Sequence, residues 1–116
     1  MFQVTFSDQS IEELNKLDKL TQMQILESFS SIRTEDLENP GESLGRLKRG
    51  NQTFYRLRSG EFRIYFEVKG HTLLSHYILS QHSMADLVFR LKLPMSEDTL
   101  IEQHQSFWKY LESLRK

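Results

Sequence analysis

Three arginines, Arg56, Arg58 and Arg63, lie within the run FYRLRSGEFRIYFEV at 54–68. A guanidinium is planar, permanently charged and able to hold a phosphate through two parallel N–H donors, so three on one surface suit a phosphodiester backbone. Phe54 and Tyr65 in the same run offer faces on which unstacked bases can rest. Whether these groups share a surface depends on the local period. Tyr55 and Leu57 alternate with Phe54, Arg56 and Arg58, and Phe62, Ile64, Phe66 and Val68 alternate with Arg63, Tyr65 and Glu67, which predicts a β-hairpin. With Ser59-Gly60 as its two-residue turn, Leu57 opposes Phe62, Tyr55 opposes Ile64 and Arg56 opposes Arg63. One side is then core, and the other carries Arg56, Arg58, Arg63, Phe54 and Tyr65. Like charges placed directly opposite repel, so a neighbouring acid or an anionic ligand must offset them. Glu61 and Glu67 can do this on a self-neutralised, solvated face, and a nucleic-acid backbone can do it as a ligand; the pattern leaves both open.

The rest of the chain must position that hairpin. Phe2, Val4 and Phe6 alternate with Gln3 and Thr5, which predicts a short N-terminal strand. Ser7 and Asp8 offer N-cap oxygens to a first helix reaching about Leu20, with Ile11, Leu14 and Leu17 on its buried face. Thr21 and Gln24 have capping-box spacing ahead of a second helix that ends near Arg33 and buries Ile25, Leu26, Phe29 and Ile32. A junction this short predicts an antiparallel helical hairpin, and Glu35 to Gly45, with Pro40 and Gly41, reads as a loop. After the central hairpin, a turn at Gly70-His71 leads into a third strand over 72–80. Ser96 then caps a C-terminal amphipathic helix at 95–116, with Glu97 and Asp98 in its first turn and Leu100, Ile101, His104, Phe107, Trp108, Leu111 and Leu114 along one face. That face serves either as core or as a surface for a partner or a second copy. The predicted class is α+β: an N-terminal strand, a helical hairpin, an antiparallel three-strand meander and a C-terminal helix in one domain spanning 1–116.

Composition narrows the function classes. A chain of 116 residues closes one ordinary core, and with no cysteine it has no disulfide framework, thiolate metal site or thiol nucleophile. Neither a membrane span nor the layout of a signal peptide is present, so a soluble cytoplasmic protein is expected. The formal net charge of −1 argues against nucleic-acid binding by total charge, but the charge is unevenly spread. Residues 7–43 carry a net −6, residues 44–69 a net +5, and the remainder is balanced. His71, His76 and His104 are scattered without metal-ligand spacing, and no metal or cofactor is expected.

The order of elements, the segment Leu47-Lys48-Arg49-Gly50, the run at 54–68 and the strand end ILSQH at 78–82 together resemble the RelE/ParE superfamily of bacterial toxins, over roughly residues 1–90. The resemblance implies the toxin of a type II toxin-antitoxin pair. In the RelE branch it implies a metal-independent endoribonuclease acting on mRNA in the ribosomal A site, with a cognate antitoxin, the ribosome and mRNA as partners and homodimers or toxin-antitoxin hetero-oligomers as assemblies. Arg56, Arg58 and Arg63 fall where that branch keeps basic residues around the scissile phosphate, where fixed cations stabilise charge developing on the phosphoryl oxygens. Lys48 and Arg49 belong to the preceding basic segment and, with Tyr65, are assigned to RNA binding. His82 is the candidate for proton transfer, since an imidazole can act in either direction near neutral pH. Two departures stand out. Ser83-Met84-Ala85-Asp86 follows His82 where the family often has a base, and Phe89 occupies the place of the family tyrosine and carries no transferable proton. These departures support the alternative of a non-catalytic binding protein, either a ParE-like inhibitor of DNA gyrase or a degenerate toxin that only binds its antitoxin.

Overall fold

The computed structural model describes residues 2–41, 43–92 and 101–114. In chain order the elements are β1 (Gln3–Phe6), α1 (Asp8–Asn15), α2 (Lys19–Ser30), α3 (Thr34–Glu38), β2 (Leu44–Arg49), β3 (Gln52–Ser59), β4 (Phe62–Lys69), β5 (Thr72–Ser80), α4 (Gln81–Leu91) and α5 (Gln105–Ser113). The five strands form one sheet in the order β1-β5-β4-β3-β2. All neighbours are antiparallel except β1, which runs parallel to β5.

The α+β architecture agrees with the sequence reading, and the structure adds elements to it. The basic segment at 44–49 is a fourth strand of the meander, and the expected loop after α2 contains the short helix α3. His82 does not close a strand but lies in the first turn of α4, whose N-cap Ser80 accepts a hydrogen bond from the Ser83 N–H. Ser7 caps α1 as predicted, accepting from Ser10 N–H. Thr21 does not form the predicted capping box: α2 begins earlier, at Lys19, and the Thr21 hydroxyl donates to the Asp18 carboxylate. The predicted C-terminal helix start at Ser96 lies outside the described residues. His104, read as part of that helix's buried stripe, instead caps α5, its Nδ1 accepting from Ser106 N–H.

Each face of the sheet has its own core. On the first, Leu57, Ile64, Phe66, Leu73 and Ile78 meet Leu14 of α1, Ile25 and Phe29 of α2, and Leu37 of α3. Phe29 packs edge-on to Phe66 at 5.2 Å. On the second, Phe54, Tyr65, Tyr77 and Leu79 meet Met84 and Leu87 of α4, and Ile101, Phe107, Trp108 and Leu111 of the C-terminal segment. Burying those last four side chains contributes about 6–12 kcal/mol, an upper estimate comparable to the total stability of a domain this size. The C-terminal segment is therefore an integral layer rather than a loose cover.

The β3–β4 turn corrects the predicted register. Ser59 pairs with Phe62, Arg58 with Arg63, Leu57 with Ile64 and Arg56 with Tyr65, so the turn residues are Gly60 and Glu61. Gly60 has φ +59°, and Gly50 and Gly70 hold the equivalent first turn positions at +61°. A positive φ at the first of two turn residues suits glycine and matches the twist of the flanking strands. Gly60→Ala keeps the fold but should lower stability by about 1 kcal/mol, measured by urea denaturation, because an L side chain strains a left-handed backbone.

Candidate functional site

The corrected register changes which arginines are neighbours. Arg58 and Arg63 form the directly opposed cross-strand pair, and Arg56 stands across from Tyr65. All four side chains project to the sheet face covered by α4 and α5, by strand alternation. Burial then separates them. Arg58 is exposed, Arg63 is largely buried with Nη1 donating to the Glu61 carbonyl at 3.2 Å, and Arg56 is only 1% exposed.

Arg56 is enclosed by a compact polar assembly. Its Nε lies 3.3 Å from Oε2 of Glu102, a residue of the C-terminal segment whose side chain is fully buried. The Tyr65 hydroxyl donates to the same carboxylate oxygen at 2.7 Å, and Trp108 Nε1 donates to the Glu102 carbonyl at 2.8 Å. On the neighbouring strand, Gly45 pairs with Arg56, and a Cβ at Gly45 would stand 2.3 Å from Arg56 Nη2. The guanidinium thus lies over a bare backbone and under a carboxylate. A carboxylate beside the buried charge, with a phenol bonded to the same oxygen, provides the pairing that a buried ion needs to be tolerated.

A second clamp holds the same layer. Arg49 bonds to Glu112 at 2.7 Å and stacks 5.1 Å from the centre of the Trp108 ring. Arg49 and Tyr65 are consequently committed within the fold. Lys48 is exposed, but it pairs with Thr53, five residues along β3 from Arg58 and about 17 Å away at strand rise. It sits at the opposite end of the sheet.

The predicted residues therefore divide. Arg58 at the end of β3, Arg63 at the start of β4 and His82 just beyond β5 gather at one end of the sheet, where the Gln81 N–H also donates to the Glu61 carbonyl at 2.6 Å. His82 is exposed there. Phe89, further along α4, is 81% exposed. Arg56, Tyr65, Lys48 and Arg49 are not part of that group. Glu67, proposed above as a neutralising neighbour of the arginines, instead meets His76 Nε2 at 2.7 Å, where the shift in register between Tyr65 and Phe66 makes His76 the extra residue of a β-bulge. Sequence reasoning missed Glu102 and Gly45. Glu102 sits in an amphipathic stretch beside Ile101, a position ordinarily solvated, and only the closed fold makes it the partner of Arg56.

Among the described residues no group of three or more His, Asp and Glu side chains is arranged to hold a metal, and no helix is long and apolar enough to cross a membrane. No family model and no curated protein matches the chain. Solved structures do. The chain is similar to one in the RelBE2 toxin-antitoxin complex from Mycobacterium tuberculosis, at 16% identity and a TM-score of 0.52, over 68% of this chain and 96% of that one. It is also similar to one in the archaeal RelE-RelB complex from Pyrococcus horikoshii OT3, at 18% identity and a TM-score of 0.56, over 69% of this chain and 94% of that one. The protein has a RelE-like fold, and it is longer than these structural neighbours.

Removing one member of a buried ion pair leaves the other uncompensated, so Glu102→Ala should cost about 3–5 kcal/mol by denaturant unfolding. Gly45→Ala should also destabilise, by displacing the guanidinium from Glu102. In an Arg56→Met background the cost of Gly45→Ala should shrink, and that coupling is the signature of the contact.

Proposed function

We propose that this protein is the toxin of a toxin-antitoxin pair and that it acts on mRNA at the ribosome as a metal-independent endoribonuclease in the cytoplasm, held in check by a cognate antitoxin. The observation that carries this reading is the clustering of Arg58, Arg63 and His82 at one end of the sheet of a RelE-like fold. The fold likeness to chains solved as toxin-antitoxin complexes supports the antitoxin as partner. Arg58 and Arg63 are assigned to the scissile phosphate. As the 2′-hydroxyl attacks phosphorus, negative charge accumulates on the non-bridging oxygens, and guanidiniums held by the strand pair stabilise that state more than the ground state. His82 is assigned to proton transfer, either from the attacking hydroxyl or to the 5′-oxygen that leaves. Arg56 is assigned a structural role: its charge is already matched by Glu102 beneath a packed layer, so it supports the strand that carries Arg58 rather than touching RNA.

A second reading draws on two further observations. Burial of Arg56 removes one cation from the face, and exposed Phe89 can stack but cannot transfer a proton. Both favour a RelE-like protein that binds without cleaving, such as a gyrase-directed inhibitor or a chain that only engages its antitoxin.

Induced expression separates the two. The nuclease reading expects growth arrest with cuts in translated mRNA. Arg58→Ala and His82→Ala, both at exposed positions, should each reduce cleavage at least tenfold while leaving the unfolding midpoint unchanged. Growth arrest with intact mRNA transfers the assignment to the binding reading, and cleavage indifferent to both changes removes Arg58 and His82 from the site.

A further inference from the structure

The outward face of α2 carries an apolar stripe with no partner among the described residues. Leu20, Met23 and Leu26 are 64%, 62% and 38% exposed, while Ile25 and Phe29 on the inner face are buried against the sheet. Isolated exposed apolar residues need no explanation, but three on one face with a definite internal symmetry do. The segment 19–27 reads KLTQMQILE. About Met23 its leucines are placed symmetrically, at positions 20 and 26, and its end charges, Lys19 and Glu27, are placed with opposite sign. At 3.6 residues per turn, all five side chains point within about 60° of the Met23 direction.

We propose that α2 pairs antiparallel with α2 of a second copy of this chain, about a two-fold axis passing at Met23. In an isologous contact each residue meets the one placed equally far on the other side of the axis. Leu20 then packs on the partner's Leu26, Met23 on the partner's Met23, and Lys19 faces the partner's Glu27, each contact occurring twice. The charges choose the direction: parallel pairing would set Lys19 against Lys19 and Glu27 against Glu27. Lys19 and Glu27 are both exposed and available for this role. A helix of 12 residues is only about 18 Å long, so the contact falls below the roughly 800 Å² per partner of a standard interface, and the dissociation constant should be on the order of 10 μM or weaker. The contact lies on the opposite sheet face from Arg58, Arg63 and His82 and stands independently of the activity proposed for them.

Sedimentation of the full chain between about 5 μM and 1 mM tests the pairing. A monomer–dimer equilibrium is expected across this range. Met23→Glu places two carboxylates on the axis and should leave only monomer, without change in the unfolding midpoint. Lys19→Glu should weaken association about tenfold, and adding Glu27→Lys should restore it, which an unrelated partner surface could not do. Because the chain has no cysteine, Met23→Cys should form a symmetric disulfide under mild oxidation, whereas Lys109→Cys, exposed on α5, should not. A monomer at every concentration, a dimer indifferent to Met23→Glu, or a failed charge swap overturns the proposal. So does binding of a different protein at this stripe by a chain that remains monomeric on its own.

Discussion

The buried contact between Arg56 and Glu102 constrains more of this molecule than any other polar pair. It joins the middle of the sheet to a residue 46 positions later in the chain, at 3.3 Å and with essentially no solvent. Such a pair contributes little net stability compared with an apolar pair of the same shape, because both ions lose their hydration. Its influence lies in what it requires of its surroundings. Gly45 must lack a side chain so that the guanidinium can lie across β2, Tyr65 must present its hydroxyl to the carboxylate, and Trp108 must hold the Glu102 backbone in place. Around that point Ile101, Phe107 and Leu111 exclude water, which makes the pair specific for one seating of the C-terminal layer.

This arrangement bears directly on the chemistry. A sheet face that would otherwise present a row of arginines is divided into an interior part and an open part. The interior part is neutralised by the chain itself. The part at the β3–β4 turn and the start of α4 carries Arg58 and His82 at its surface, with Arg63 largely buried beside them. With a net charge of −1, the positive field at that end is small and local, and long-range steering of an anionic ligand by total charge is weak.

Much of the fold is legible from local pattern. The alternations at 54–58 and 62–68, the cap at Ser7 and the apolar stripe at 107–111 each specify an element through nearest-neighbour physics. The register was legible too, but required the turn rule to be applied strictly. Glycines at 50, 60 and 70 each occupy the first turn position, and the rule that places Gly70-His71 correctly also selects Gly60-Glu61 over Ser59-Gly60. One misplaced turn residue re-pairs every arginine. Strand β2 was hidden because only Gly45, Arg46, Leu47 and Lys48 alternate, and Arg49 directly after Lys48 makes the segment resemble a charged loop. The burial of Arg56 was not legible at all, since it depends on a contact between distant segments that local spacing does not encode.

Strand β2 also gives the basic central segment a second meaning. It is one of the two edges of the sheet, and among the described residues its outward backbone groups have no strand beyond them. Edges of this kind template the addition of further strands, and positive side chains along them oppose that process by repulsion between copies and by their hydration. Arg46 and Lys48 are exposed along this edge. Part of the cationic character that first suggests a nucleic-acid surface therefore keeps the sheet finite, protecting the folded chain from growing into a fibre.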